Sequence, residues 1–154
     1  MRIHRLEQRQ RLPISLATAW EYFSSPANLN EITPPELGFR ITSAPEPVMY
    51  EGQIITYRVK VAPLVWVGWV TEIKCVVERR TFIDEQRFGP YKLWHHRHVF
   101  EETEGGVIMT DVVHYALPFG WLGALAHVWF VRPKLKRIFD YRRRKLNERF
   151  GNPA

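Results

Sequence analysis

Four titratable side chains stand where they could do chemistry: Asp84, His96, His98 and Asp111. His96 and His98 are two residues apart, the spacing at which a β-strand sends both side chains to one face. Residues 92–101 alternate Trp94, His96, His98 and Phe100 against Leu93, His95, Arg97, Val99 and Glu101. Arg97 and Glu101 suit water, whereas Trp94 and Phe100 suit burial, so the histidines face inward. Gly105-Gly106 marks the turn that follows. If that turn pairs Glu102 with Val107, then His98 faces Asp111, His96 faces Val113 and Trp94 faces Tyr115. The same parity places Phe82, Asp84 and Gln86 inside on the preceding strand. Asp111 lies between Met109 and Val113 on its own face, and a buried carboxylate needs a partner. His98 within hydrogen-bond reach of Asp111 is the expected pairing.

A His–Asp pair fixes one imidazole tautomer and can prepare the other ring nitrogen as a base. Three uses stay open: a self-satisfied structural network, polar contacts to a ligand, and acid–base catalysis. Two histidines on one strand with Asp111 as third ligand could also share a metal. A cavity otherwise lined by rings is a poor site for a hydrated ion, so neither metal nor cofactor is expected. Cys75 reads as a small core residue with no group to activate it.

The elements that must position these groups follow from periodicity. Ile3–Leu12 alternates as a strand. Ser15 can cap a helix whose apolar stripe is Leu16, Ala19, Trp20 and Phe23. Pro26 opens a second short helical segment, which Thr33-Pro34-Pro35 ends. Strand patterns then run through 39–42, 53–61, 65–77, 81–87, 92–101 and 107–117, with short connections that argue for an antiparallel meander. Tyr57, Val59, Val67, Trp69 and Ile73 fall on the inward side. From Gly120 the period becomes helical, with Leu122, Leu125/Ala126, Trp129, Leu135, Phe139 and Leu146 on one face. Pro133 should kink this helix or start a new one. The Trp121–Val131 stretch, apolar nearly all round, is expected to be buried, and Gly120 and Gly123 would allow a lid at a cavity mouth.

Composition narrows the functional classes. The 154 residues are one domain's worth, so residues 1–154 are read as a single domain. Six Trp, nine Phe and six Tyr are many for this length, and large rings line ligand cavities as well as cores. A lone cysteine excludes an intrachain disulfide. The N-terminal MRIHRLEQRQRLPI has no apolar signal core and no stretch reaches the ~20 residues of a membrane span, so a cytoplasmic protein is expected. The formal charge is +6, yet residues 132–149 hold nine Lys/Arg against two Asp/Glu, leaving the remainder at −1. Basicity confined to one helix argues against nucleic acid. Arg142-Arg143-Arg144-Lys145 reads as a solvated helix end, or as a weak contact for anionic membrane or an acidic partner.

Certain runs carry a family likeness. Ser24-Ser25-Pro26-Ala27-Asn28-Leu29, Ile32-Thr33-Pro34-Pro35, and Gly89-Pro90-Tyr91 followed by Trp94, His96, His98 and Phe100 look like one bacterial branch of ligand-binding proteins. Over nearly its whole length the chain resembles the START-like superfamily, also called helix-grip or SRPBCC. That superfamily includes lipid carriers, plant-hormone receptors, polyketide cyclases, quinone-binding proteins and chaperone activators. The resemblance implies an α+β helix-grip fold: a seven-stranded curved antiparallel sheet wrapped around a long C-terminal helix, with two short helices after strand 1. It also implies an apolar cavity between sheet and helix. No family catalytic motif matches residue by residue.

The expected function is binding of a hydrophobic small molecule, such as a lipid, quinone or polyketide. Its expected contacts are Tyr57, Trp69, Asp84, Gln86, Trp94, His96, His98, Asp111, Tyr115 and Trp129. The alternatives are a cyclase/dehydratase-like enzyme using His98 and Asp111, and an interaction module docking through the Trp121–Phe130 surface.

Overall fold

The computed structural model describes residues 2–43 and 46–152. The chain opens with strand β1 (His4–Leu12) and helix α1 (Leu16–Phe23). The Ser15 hydroxyl caps α1 by accepting from the Thr18 amide at 3.1 Å. Two 3-10 turns follow, Pro26–Asn30 and Pro35–Leu37, the second beginning at the proline pair expected to stop helix. Six strands come next: β2 (Arg40–Ile41), β3 (Ile54–Ala62), β4 (Val65–Val77), β5 (Thr81–Phe88), β6 (Leu93–Thr103) and β7 (Gly106–Ala116). Helix α2 (Gly120–Ala126), one π-helical turn (His127–Val131) and helix α3 (Arg132–Phe150) complete the chain.

Among the described residues the strands form one antiparallel sheet in the order β1-β7-β6-β5-β4-β3-β2. The β6–β7 hairpin takes the register that residue alternation demands. His98 is opposite Asp111, His96 opposite Val113, Trp94 opposite Tyr115 and Phe100 opposite Met109. Gly105 sits at φ +74° in its turn, a conformation glycine adopts without the Cβ penalty. Curved around α3, the sheet grips the helix by its inward stripe of Leu135, Phe139, Arg142 and Leu146. Leu146 joins Leu12, Trp20, Phe23, Phe82 and Phe100 in one apolar cluster. Leu135 and Phe139 join Trp94, Val113 and Tyr115 in another. Gln8 and Gln10 of β1 fasten the helix by donating to Phe139 O at 3.1 Å and Asn147 Oδ1 at 2.8 Å.

Three expectations are corrected. Cys75 is exposed, not a core residue. The β4–β5 register shifts between Lys74 and Val77, and Cys75 takes φ +52° at this bulge. The extra residue inverts side-chain parity, so Val76 packs against the core instead. The Trp121–Val131 stretch is not buried: Trp121, Val128, Trp129 and Phe130 are each more than half exposed. Leu122 and Leu125 are likewise exposed, so the stripe expected from Leu122 to Leu146 packs only from Leu135 onward. Trp129 stands six residues before Leu135, about 240° around a helix of 3.6 residues per turn, so the two cannot share a face, and the π turn at His127–Val131 shifts the count further. That turn also lies just before Pro133, where a regular α-turn would meet a missing amide and a ring clash. Gly123 packs against Pro118 O, where a Cβ would collide, which ties α2 to its entry loop.

Candidate functional site

A cavity of about 340 Å³ lies between the sheet and α3. Tyr57, Trp69, Asp84, Trp94 and His96 form its sheet wall. Leu135, Ile138, Phe139 and Arg142 form its helix wall. Val61, Leu117 and the largely exposed Phe130 lie toward the mouth. A smaller recess of about 50 Å³ shares Tyr57, Asp84 and Arg142 with the cavity and reaches His98 and Phe82. A third hollow, about 570 Å³, is an open surface groove walled by Glu31, Lys145, Glu148 and Arg149. It is larger, but its charged and solvated walls make it a poor match for an apolar guest.

The ring wall is held in place by hydrogen bonds at its polar edges. Trp69 Nε1 donates to Thr71 Oγ1 at 3.1 Å, and Trp94 Nε1 donates to Asp84 Oδ1 at 3.1 Å. Trp69 meets Trp94 edge-on at 5.3 Å and Tyr91 at 5.6 Å. Burial, with the Asp84 charge added, pushes the Tyr57 phenol upward, so it stays neutral at pH 7.

Behind the rings two carboxylates bracket two imidazoles. His96 Nε2 donates to Asp111 Oδ1 at 3.0 Å, and His96 Nδ1 lies 3.1 Å from Asp84 Oδ2. His98 Nε2 donates to Asp84 Oδ2 at 3.1 Å. His98 Nδ1 is 2.8 Å from Asp111 Oδ1, but it is off the hydrogen-bond direction, so this contact is close and poorly aligned. The two rings stand 3.9 Å apart. Burial opposes charge on His96, yet Asp84 and Asp111 overcome it and raise its pKa to about 9. Burial alone would raise both carboxyls. The histidines reverse this and hold Asp84 and Asp111 well below the usual carboxylate range. Asp84 keeps 23% of its side chain accessible and lines the cavity.

His98 and Asp111 stand on adjacent strands, buried and 2.8 Å apart, within the expected reach, but without an aligned bond between them. They are opposite in register, but Asp111 takes its aligned bond from His96, and His98 takes its own from Asp84. Every ring nitrogen of the two histidines faces a carboxylate, so none is left aimed at a guest. Asp84, His96 and His98 offer ligand atoms within 4.8 Å of one another. Atoms sharing one tetrahedral ion with ~2.1 Å bonds stand only ~3.4 Å apart. The separations of 3.0–3.1 Å from nitrogen to oxygen are those of hydrogen bonds, and His98 Nδ1 is left without an aligned partner.

Not every expected contact reaches the cavity. Asp111 is buried behind the histidines. Gln86 is occupied by the Gly89-Pro90-Tyr91 turn, donating to Tyr91 O at 2.7 Å and accepting from its amide at 3.2 Å. Tyr115 lies behind Tyr91 and Trp94, its hydroxyl 2.9 Å from His127 Nε2. Trp129 is 73% exposed and off the wall, six residues from Leu135 and so on another face of the helix.

Arg142 is the residue that sequence reasoning missed. Its run of basic neighbours reads as a solvated helix end, yet only 7% of it is exposed and it lines both the cavity and the recess. Its position was legible: with Leu135, Phe139 and Leu146 it completes a 4-3-4 spacing on one helix face.

No protein-family model matches the chain, and no curated protein matches it in sequence. Solved structures do match along its length. Protein CV1439 from Chromobacterium violaceum is 12% identical with a TM-score of 0.71, over 97% of this chain and 99% of that one. Protein Ms6760 from Mycobacterium smegmatis is 14% identical with a TM-score of 0.67, over 96% and 95%. The di-domain ARO/CYC StfQ from the steffimycin biosynthetic pathway is 10% identical with a TM-score of 0.66, over 97% of this chain and 52% of that one. Strand order, gripped helix and these likenesses agree: the chain has the START-like, or SRPBCC, helix-grip fold.

Proposed function

We propose that the protein binds a small, mostly apolar molecule, of the lipid, quinone or polyketide kind, in the cytoplasm. The carrying observation is the cavity of about 340 Å³ between sheet and α3, walled by Trp69, Trp94, Leu135 and Phe139. Sites for small ligands have this size and this balance of rings with a few placed polar groups. The likeness to StfQ keeps polyketides among the candidates. Binding is favoured over acid–base catalysis because the imidazoles are closed off by Asp84 and Asp111. Native mass spectrometry of gently purified protein, followed by organic extraction, should recover a bound species. An apolar fluorescent probe should bind the emptied protein, and Trp69→Ala should weaken it about tenfold, a full aromatic side chain being worth more than the ~1.4 kcal/mol this represents. A probe that binds wild type and Trp69→Ala alike would sink the reading.

A second reading concerns the exposed apolar end. Trp121, Trp129 and the cavity-lining Phe130 are largely exposed, with Arg132 and Lys134 immediately after them. Tryptophans and aliphatics bordered by cations suit an anionic lipid surface. The protein would then dock mouth-first on a membrane to load or release its guest.

A further inference from the structure

Resting on the reading of the cavity as a binding site, we propose that its guest is an apolar carboxylic acid whose carboxylate pairs with Arg142. An arginine carries five N–H donors in a planar fork and keeps its charge at any physiological pH. Buried arginines are expected to be paired. Arg142 is 93% buried by its 7% exposure, and among the described residues its guanidinium makes no hydrogen bond or ion pair. Its Nε is fully enclosed without an acceptor. Among the described residues its charge finds one cation–π partner, the Phe139 ring, 5.0 Å from Cζ. Such a contact offsets little of the cost of desolvating a cation.

The nearby carboxylates do not supply the missing acceptor. Asp84 spends Oδ1 on the Trp94 indole and Oδ2 on the two histidines. Asp111 is turned toward His96 and His98. Two other cations line the wall: Lys134 is already satisfied by the Lys60 and Val61 carbonyls at 3.3 and 2.9 Å, and Lys60 is only half-buried and keeps contact with water. One unsatisfied fork therefore remains in an otherwise ring-lined space. A planar carboxylate matches it with two parallel hydrogen bonds. Because Arg142 lines both the cavity and the inner recess, while Phe130 and Val61 lie toward the mouth, the acid enters head first.

The test uses a matched pair of probes, 2-naphthoate and 2-naphthalenemethanol, which differ in charge but hardly in size or ring. Both are titrated by calorimetry and tryptophan fluorescence at pH 7.5 into the delipidated full chain. Wild type should prefer the acid at least tenfold. Arg142→Met should lose the acid preference, its acid-to-alcohol affinity ratio falling to about one. Arg142→Lys should keep a reduced preference, having the charge without the fork. The melting temperature of ligand-free Arg142→Met should equal or exceed that of wild type, because an unpaired buried charge has been removed. If Arg142→Met does not fold, the acid-to-alcohol ratio of wild type and of Arg142→Lys carries the test. Wild type that binds both probes equally, or Arg142→Met that still prefers the acid, overturns the carboxylate anchor and leaves the apolar cavity standing. Wild type that takes up neither these nor any other apolar probe overturns the cavity reading itself.

Discussion

His96 owes its charge to two carboxylates, so pH is the direct way to question it. Its folded-state pKa of about 9 lies above the ordinary histidine value of 6.5. A raised pKa means that the folded protein binds the proton more tightly than the unfolded chain does. The resulting stability is fully present below pH ~6.5 and is lost as pH rises through about 9, at up to ~1.4 kcal/mol per unit. Asp84 and Asp111 act on the other flank. Their depressed values contribute stability present above the usual carboxylate range and lost as acid protonates them in the fold. Urea midpoints should therefore fall on both sides of a broad maximum near pH 5–6.5. His96→Gln should flatten the fall between pH 7 and 9, a window that ends before the tyrosines ionise. An unchanged alkaline slope in that variant would show that His96 is not charged in the fold.

Among the elements, β4 shows where sequence reasoning stops. The β6–β7 register was legible because each of two faces has its own chemistry, and a slip by one residue would have put Arg97 inside. In β4 the alternation of Ile73, Cys75 and Val77 was equally clean, yet the bulge sends Cys75 out and Val76 in. Nothing in the residue types marks that bulge, since Cys75 takes a positive φ that its side chain does not favour. The helical end failed for a simpler reason. Trp129 stands six residues before Leu135, about 240° around a helix of 3.6 residues per turn, so the two never shared a face, and the π turn shifts the count further. Arg142 failed differently: its place on the stripe was correct and its charge argued against it. The Cys75 placement has a quick check. In the native protein one thiol should react with Ellman's reagent as fast as in the urea-unfolded chain, within a few-fold. Protection by orders of magnitude would return Cys75 to the core.

At the scale of the molecule, polar and apolar surfaces are distributed unusually. The charged side chains of the C-terminal half of α3 border an open groove, while the opposite end exposes Phe119, Trp121, Leu125, Trp129 and Phe130. No helix among the described residues is long and apolar enough to cross a membrane. The docking reading therefore concerns a surface, and it makes a specific expectation. The protein should sediment with vesicles containing anionic lipid at low salt, and much less with zwitterionic ones. Replacing Trp121 and Trp129 by Ser should reduce the bound fraction several-fold without changing affinity for an apolar probe. Equal sedimentation of the double variant would remove the docking reading and leave the cavity untouched.

The strand order carries one more consequence, for the order in which the ribosome delivers the chain. β1 is made first but pairs with β7, so it waits for residues 106–116 before it has a neighbour. Even then the gripped face stays bare until α3, the last element, emerges. Throughout synthesis the rings that later wall the cavity have nothing to cover them. A nascent chain in that condition is a client for holding factors and a hazard for its neighbours on the polysome. The gripping helix thus serves first as the stopper that ends this vulnerable interval, and only afterwards as the wall against which a guest is held.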